Sequence, residues 1–344
     1  MSGSNPSRFL AASGDDYGLA LKQFWGPMVE AFRDSSVLFM GDGPKVIAEK
    51  TITQGKSHQF LMLADTPESE DHIPGDELLG QQYEVQDGTL TVDDILVAHH
   101  DIPEDQEALS HFEIRPQLGR KIGQRLARDY DQRAFYTAIN AARTAGVSKN
   151  GLTVHNGGNR VVASTSGSTA TAYPVTSTGA QNFRDDVAQL AQLMDEDYVP
   201  EGGRYLFITP YIRRVLGKDP TIFDTRYTQN QPNSLNQRRI GMIEGFEIVV
   251  AKGRMPTTNV TKFTGVKTKY NGDFRNSGSY GEPVALALCG ASEASAAVGC
   301  VKAFGITPQM LDDIRRGTHF MKAKMLIGLG VLHPWCAGEI CSKT

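Results

Sequence analysis

The most regular pattern of apolar positions lies in residues 115–143, where an apolar side chain recurs every fourth residue. This period places the recurring side chains on one face of an α-helix, and Pro116 suits its first turn. At about 1.5 Å per residue the helix would be roughly 40 Å long. Arg and Lys side chains cover its other faces, so the pattern predicts a long helix with a basic surface. The recurring positions are Leu118, Ile122, Leu126, Tyr130, Ala134, Ala138 and Ala142.

Shorter patterns predict further elements on both sides of this helix. Apolar residues between 19 and 32 follow a helical period and predict one helix in an N-terminal arm. Residues 155–182 are rich in Ser, Thr, Gly and Asn and predict a loop or short irregular strands, before a second helix over 183–194. Together with the apolar runs, these segments predict a mixed α+β fold. The predicted strands cover residues 205–209, 246–251, 284–289 and 322–332.

A dipeptide with a strong turn preference, Asp87-Gly88, separates two short apolar stretches. A type I′ turn needs positive φ at both central residues, and this dipeptide tolerates it. We therefore predict a β-hairpin centred on the dipeptide, with apolar pairs across its two strands. Because an isolated two-stranded hairpin is only marginally stable, we expect it to lie on another surface. The paired residues would be Tyr83, Val85, Leu90 and Val92.

The charges are divided unevenly along the chain. The net charge is −4, from 35 basic and 39 acidic residues. Residues 65–107 hold fourteen of the acidic residues and no Lys or Arg, which leaves 25 acidic against 35 basic residues elsewhere. Like charges at this density repel one another, so we expect the acidic segment to extend or to meet a basic partner.

Composition and motifs argue against several functional classes. A chain of 344 residues with this net charge is unlike the strongly basic domains that read DNA sequence. No apolar run is long enough to span a membrane, and Phe9–Ala12 is too short for a signal peptide, so we expect a cytosolic product. The four cysteines form no CxxC pair and predict buried, reduced thiols rather than a zinc site. Common catalytic motifs are missing, so we expect no enzyme, no catalytic residue, no cofactor and no metal.

Four stretches, in their order and spacing, resemble one known family. Residues 55–60 (GKSHQF) are similar to the family's entry into a long loop, and residues 73–78 (IPGDEL) to a turn within it. Residues 244–249 (EGFEIV) resemble a strand, and residues 330–338 resemble a C-terminal run with Gly, Leu, Pro and Ala-Gly at matching places. The chain thus resembles the major capsid proteins of T7-like podoviruses, which have the HK97-like fold.

The resemblance implies a division of the chain into named parts. An N-terminal arm would be followed by an extended E-loop and by a P-domain that contains the long spine helix at 115–143. An A-domain would come next, before a return to the P-domain. The implied boundaries are 1–55 for the arm, 56–107 for the E-loop, 108–182 for the P-domain, 183–301 for the A-domain and 302–344 for the return.

The resemblance also implies a function, namely a major capsid protein that self-assembles into the pentamers and hexamers of an icosahedral phage head. Expected partners are other copies of the chain, a scaffolding protein, a portal and packaged double-stranded DNA held by nonspecific contacts, with no membrane. The protein would be assembled in the host cytoplasm and end in the virion capsid. The E-loop would reach over the neighbouring subunit, so its acids would meet the basic helix. The expected interface residues are Asp76, Glu77, Tyr83, Val85, Leu90, Val92, Arg120, Arg125, Arg128 and Arg133.

Two alternatives stay open at this point. An encapsulin-like nanocompartment shell would share the fold and would enclose cargo protein instead of DNA. A metal-dependent enzyme could use the acidic segment, although Asp71, Asp76 and Glu77 lack the ordered spacing of an EF-hand loop. His99 and His100 are adjacent and would point to opposite faces of a strand, which favours a surface or interface pair over a shared metal ion.

Overall fold

The structure is a computed structural model. It describes residues 16–38, 46–63, 71–72, 85–93, 95–109, 113–149, 152–166, 169–219, 241–253, 255–256, 270, 280–290, 295–313 and 316–343. Its helices are α1 (Asp16–Ser35), α2 (Glu104–Leu109), α3 (Ile114–Arg143), α4 (Thr169–Ala172), α5 (Ser177–Glu196) and α6 (Pro210–Leu216), with a 3-10 turn at Pro334–Cys336.

Fourteen strands are described between these helices. The first seven are β1 (Ile47–Thr51), β2 (Ser57–Leu63), β3 (Val85–Thr91), β4 (Leu96–Pro103), β5 (Val147–Lys149), β6 (Leu152–His155) and β7 (Asn159–Ser166). The others are β8 (Arg204–Ile208), β9 (Met242–Ile243), β10 (Phe246–Val250), β11 (Tyr280–Cys289), β12 (Val298–Asp313), β13 (Thr318–Val331) and β14 (Ala337–Lys343). The predicted α+β content is confirmed.

The predicted long helix is confirmed as α3, which has 30 residues and begins one residue earlier than expected. The N-terminal helix α1 packs along it, with Phe24, Met28 and Phe32 buried. Two glycines of α3 allow the backbones to approach closely. A Cβ added at Gly119 would lie 2.8 Å from the carbonyl oxygen of Phe24, and one at Gly123 would collide with the backbone of Met28. The α1–α3 pair therefore depends on small residues at a four-residue spacing.

The larger sheet has six strands in the order β7-β14-β11-β8-β10-β9. Strands β14 and β7 pair in parallel, as do β10 and β8, whereas β11 is antiparallel to both of its neighbours. Its central strands, β11 and β8, are almost completely buried, which explains their nearly continuous apolar sequence. Helix α5 packs on this sheet through its apolar side, which includes Phe183, Val187 and Leu190.

The segment of residues 155–182 is more regular than predicted. It contributes the eight-residue strand β7 to the edge of the six-stranded sheet. Helix α5 also begins inside it, six residues before the expected start. Thr176 explains the early start, because its side chain accepts a hydrogen bond from the backbone N–H of Gly179 at 3.1 Å. An N-cap of this kind stabilises the first helical turn within a polar sequence.

A second sheet has four strands in the order β1-β12-β13-β4, and β2-β3 and β5-β6 form two-stranded sheets. Strands β12 and β13 form a long antiparallel pair, with β1 added in parallel on one side and β4 antiparallel on the other. The predicted strand at 322–332 is confirmed within β13, which starts at Thr318. Among the described helices, none combines the length and apolar character that crossing a membrane requires.

The predicted hairpin turn at Asp87-Gly88 is wrong. Both residues lie inside strand β3, which pairs antiparallel with β2, so that Gly88 stands opposite Phe60 and Asp87 opposite Leu61. The pair expected between Val85 and Leu90 across this turn does not form, because Val85 stands opposite Leu63 and Leu90 opposite His58. The partner strand lies more than twenty residues earlier in the sequence, and its long-range pairing outweighs the local turn preference.

Candidate functional site

The expected interface residues that the structure describes lie in two places, namely strand β3 with the residue after it, and helix α3. The base of the β2–β3 ribbon rests on the four-stranded sheet. Leu90 and Val92 are buried there in a small apolar cluster with Val301 and Leu332. Because both side chains are buried within their own subunit, their assignment to a contact with a neighbouring subunit is corrected. They anchor the ribbon instead.

Three glycines of the four-stranded sheet make room for this anchor. A Cβ added at Gly299 would lie 2.7 Å from a Leu90 methyl group, and one at Gly330 would collide with the same side chain. At Gly328 the added atom would lie 2.8 Å from the backbone carbon of Thr91. The glycine at the start of the C-terminal motif at 330–338 thus has a physical role, since it allows the ribbon to sit directly on the sheet.

Beyond its base, the ribbon carries exposed apolar side chains. Val85 stands opposite Leu63 in the ribbon and is partly exposed. Leu61, two residues away on β2, is 68% exposed and was not among the predicted interface residues. The unbroken apolar run Phe60–Leu63 was a signal that could have identified it, because alternate residues of a two-stranded ribbon cannot all be covered. Asp76, Glu77 and Tyr83 lie outside the described residues.

The predicted arginines of α3 do not share one environment. Arg120, Arg125 and Arg128 are exposed. Arg133 is completely buried, and its guanidinium lies 5.2 Å from the centre of the Tyr270 ring in a cation–π contact. Its assignment to an intersubunit interface is therefore corrected. The physical reason is that the C-terminal half of α3 is buried on nearly all sides, so the Arg133 side chain lies inside the protein.

Lys121 joins two of the exposed arginines. Lys121, Arg125 and Arg128 follow the i, i+4, i+7 spacing of a single helix face, and all three are exposed. Arg125 also forms an ion pair with Asp129 at 3.3 Å, one turn further along the helix. These three cations are called the basic stripe below. The spacing was visible in the sequence, but Lys121 was not assigned to the interface.

Some acids of the 65–107 segment are engaged within their own subunit. Asp93 is buried and accepts a hydrogen bond from the Tyr270 hydroxyl, and burial is the main reason that the pKa of Tyr270 is raised. Glu107 accepts two hydrogen bonds from Arg115 near the start of α3, at 2.5 and 3.0 Å. These two carboxylates attach the end of the acidic segment to the body of the subunit.

Among the residues that the structure describes, neither the cavities nor the titratable groups form a recognisable catalytic site. One open cavity of about 370 Å³ lies between α1 and α3, with Glu30, Asp34 and Arg120 in its wall. A second, of about 350 Å³, lies under the ribbon beside His155 and Leu332. Within the described part of the chain, no group of three His, Cys, Asp or Glu residues could hold a metal ion.

The four cysteines give a prediction about thiol reactivity. All four are free and buried. Burial raises the pKa of the thiols of Cys300, Cys336 and Cys341 to about 12. The reactive species is the thiolate, so the folded protein should react very slowly with Ellman's reagent at pH 8. All four thiols should react within minutes in guanidinium chloride. A thiol that reacts equally fast in the folded protein would contradict the buried arrangement.

The subunit combines a six-stranded sheet, a four-stranded sheet and the long helix α3, with the β2–β3 ribbon anchored on the four-stranded sheet. This combination defines a subunit of the HK97-like class. The chain belongs to the Gp10A-like major capsid protein family, whose model matches residues 64–341. The resemblance found in the sequence and the predicted fold class are thereby confirmed.

Individual relatives agree with this assignment. The chain is similar to the capsid structure of the cyanophage P-SCSP1u, with 26% identity, a TM-score of 0.72, and coverage of 87% of this chain and 86% of that one. The mature capsid of bacteriophage PhiM1 gives a TM-score of 0.70 at 16% identity, with the same coverage, and shows the fold alone.

The chain is 28% identical over 127 residues to the major capsid protein of Escherichia phage T7. The match covers 36% of this chain and 35% of the T7 protein, so it spans about a third of that relative. These findings favour a phage capsid protein over the encapsulin-like alternative, and the family and fold indicate a structural role.

Proposed function

We propose that this chain is the main building block of an icosahedral phage head, in which copies associate as pentamers and hexamers around double-stranded DNA. The observation that carries the proposal is the family match over residues 64–341 combined with the HK97-like fold. The proposed role is structural and involves no reaction and no cofactor. Assembly would take place in the host cytoplasm, with a scaffolding protein and a portal as partners, and DNA would be held by nonspecific, salt-sensitive contacts.

The proposed parts of the subunit are those expected from the sequence: arm 1–55, E-loop 56–107, P-domain 108–182, A-domain 183–301 and return 302–344. The sheet topology supports one refinement of these boundaries. Strands β1 and β4 both belong to the four-stranded sheet, on opposite sides of the β12–β13 pair. The excursion that leaves this sheet therefore runs from residue 52 to residue 95, and it includes the β2–β3 ribbon.

The proposed contact between subunits joins the E-loop of one copy to the basic stripe of the next. After the buried residues are set aside, the remaining E-loop candidates are Asp76, Glu77, Tyr83 and Val85, to which the exposed Leu61 is added. Opposite them we place Arg120 and the basic stripe. A contact between two different surfaces of the same chain is heterologous, and such contacts close into rings. Exposed ion pairs contribute only about 0–1 kcal/mol each, so the charges would set register while apolar side chains supply more of the affinity.

The function is tested by expressing the chain, alone and with the scaffolding protein of its phage, and imaging the product by negative-stain microscopy. Closed shells or rings of five or six subunits are expected. Particles recovered from infected cells should contain double-stranded DNA. Shells that hold only a cargo enzyme would favour the encapsulin-like alternative, and a chain that stays monomeric under all conditions would contradict the proposal.

Charge reversal tests the proposed contact. The double variant Arg125→Glu, Arg128→Glu places two negative charges on the basic stripe, which should repel the acidic loop of the next subunit. We expect shell formation to require roughly tenfold more protein, as two exposed pairs of about 0–1 kcal/mol each would give. The matched control, Arg125→Lys with Arg128→Lys, keeps the charge and should assemble normally. A reversed variant that folds and assembles like the parent would show that this face does not meet the acidic loop.

A further inference from the structure

Helix α5 ends in a Schellman motif that places an unusual residue in the left-handed conformation. The backbone N–H of Val199 donates to the carbonyl of Met194, and that of Tyr198 donates to the carbonyl of Asp195, both at 3.0 Å. Tyr198 has a φ of 55°. The residue at this place is usually Gly, because a side chain in the left-handed region crowds the backbone. The chain therefore keeps a large aromatic residue where its own fold favours the smallest one.

The Tyr198 side chain gains no packing within the subunit in return. It is 94% exposed, the highest value among the large apolar and aromatic side chains described as exposed. The apolar residues of the motif, Met194 and Val199, are buried instead. A residue that is conformationally disfavoured and nearly fully exposed does not serve the stability of the subunit. Glu244 and Lys252 also have positive φ and are exposed, but water solvates their charged groups. An exposed aromatic ring on a strained backbone differs from them, because it gains from burial by a partner.

The charges around Tyr198 break a second local preference. Asp195, Glu196 and Asp197 come at the end of α5, and its last turn has no basic residue. The C-terminal end of a helix carries partial negative charge and favours cations, so three acids are disfavoured there. Glu201, just beyond the motif, is also exposed. These four acids, which flank Tyr198 in the sequence, are called the acidic rim below.

The backbone beneath Tyr198 is held firmly. Arg204, whose side chain is almost completely buried, forms an ion pair with Asp195 at 2.7 Å and donates to the carbonyl oxygens of Pro200, at 3.0 Å, and Val199. Asp197 accepts hydrogen bonds from the side chains of Asn156, at 2.9 Å, and Asn159, at 2.8 Å. The backbone that carries Tyr198 would therefore lose little conformational freedom on binding a partner, which favours a binding role.

We propose that Tyr198 and its acidic rim form a preorganised contact with a second copy of this chain, on a positively charged part of that copy's surface. The inference rests on the proposed function, because a shell is built from copies of one chain. The charge balance supports the choice of partner, since outside residues 65–107 the chain has 35 basic and 25 acidic residues. Exposed Tyr is enriched at such contacts, where its ring covers apolar stems and accepts a cation on its face.

Replacing Tyr198 by Gly separates the two roles of this position. Tyr198→Gly relieves the left-handed strain, so the melting temperature of the subunit should rise by about 1–3 °C. The same variant removes the contact, so assembly should require at least tenfold more protein in velocity sedimentation and negative-stain microscopy. The matched control is Glu244→Gly, because Glu244 is also exposed and has a φ of 47°. It should stabilise the subunit similarly and leave assembly unchanged.

A photo-crosslinking variant locates the partner directly. Tyr198→p-benzoylphenylalanine, assembled from a mixture of ¹⁴N- and ¹⁵N-labelled chains, should give crosslinked peptides of mixed isotope composition that contain a Lys or Arg of the second copy. Normal assembly of Tyr198→Gly, a lower melting temperature of that variant, or crosslinks only within one chain would each overturn the inference. If the unaltered chain forms no shell or ring at all, the proposed function fails and this contact fails with it.

Discussion

Replacing Glu339 with Gln should lower the free energy of unfolding by about 3–5 kcal/mol, because it leaves a buried guanidinium without its anionic partner. Arg143, the last residue of α3, donates from Nε and Nη2 to the two carboxylate oxygens of Glu339, at 2.7 and 2.6 Å. Glu339 is completely buried, and the Arg143 side chain is only 10% exposed. A bidentate pair of this kind is among the stronger polar interactions in proteins.

The position of this pair explains why its loss should affect the whole subunit. Glu339 belongs to β14, which lies between β7 and β11 in the six-stranded sheet, and Arg143 also donates to the carbonyl oxygen of Gly281 in β11, at 3.3 Å. The pair therefore joins the end of the long helix to two adjacent strands. Burial raises the pKa of Glu339, while Arg143 opposes that rise. The guanidinium thus stabilises a carboxylate that the surrounding protein disfavours.

Guanidinium chloride unfolding of the single variant measures the effect. Glu49→Gln is the matched control, because Glu49 also pairs with a basic residue, Lys302, at 2.6 Å. Both side chains of the control pair are about 30% exposed, so its loss should cost about 1 kcal/mol or less. An effect of Glu339→Gln no larger than that of the control would show that the buried pair does not hold the helix to the sheet.

Elements with a strong local pattern could be predicted from the sequence. Helix α3 was predicted to within one residue because its apolar side chains recur over about seven turns. Strands β8 and β10 are short apolar runs between turns, and they too were placed to within one residue. The hairpin prediction at Asp87-Gly88 failed because the same residues can form either a turn or the middle of a strand. Pairing with β2 decides for the strand, and no local signal in the sequence connects β2 to β3.

The interface candidates show a similar limit. Arg133 was assigned to the surface because arginine is rarely buried, yet Tyr270, 137 residues later in the sequence, provides an aromatic face for it in the core. Leu90 and Val92 were recognised correctly as apolar residues that need burial, but the surface that buries them belongs to their own subunit. Periodicity indicates that a side chain is buried, and only the tertiary structure shows against what.

Two glycines of α3 carried a signal that could have been read from the sequence. Gly119 and Gly123 stand four residues apart, in a helix whose other faces are crowded with long side chains. Glycine within a helix is destabilising by roughly 0.5–1 kcal/mol relative to alanine, so a pair on one face indicates that another backbone passes close by. In the structure that backbone is α1.

Gly123→Ala should accordingly destabilise the protein, although alanine favours the helical conformation. The added Cβ would lie 3.0 Å from the carbonyl carbon of Met28 and closer still to its oxygen. A backbone carbonyl cannot rotate away as a side chain can, so α1 must shift along its length. Overpacking of this kind costs about 1–3 kcal/mol, which exceeds the gain in helix propensity. We expect a lower melting temperature and faster proteolysis within residues 16–38.

Gly26→Ala provides the matched control for this variant. Gly26 lies in α1 itself, and apart from its chain neighbours a Cβ added there would have no atom within 4 Å. It directly precedes Pro27, which disfavours the helical conformation for a preceding residue that carries a Cβ. This cost opposes the gain in helix propensity of about 0.5–1 kcal/mol, so the control should change the stability little. A clear loss of stability at Gly123 with little change at Gly26 would show that close backbone approach, and not glycine content, holds α1 on the long helix. If Gly123→Ala left the stability unchanged or raised it, α1 would not pack against Gly123 in solution, and the N-terminal arm would be free to adopt another position.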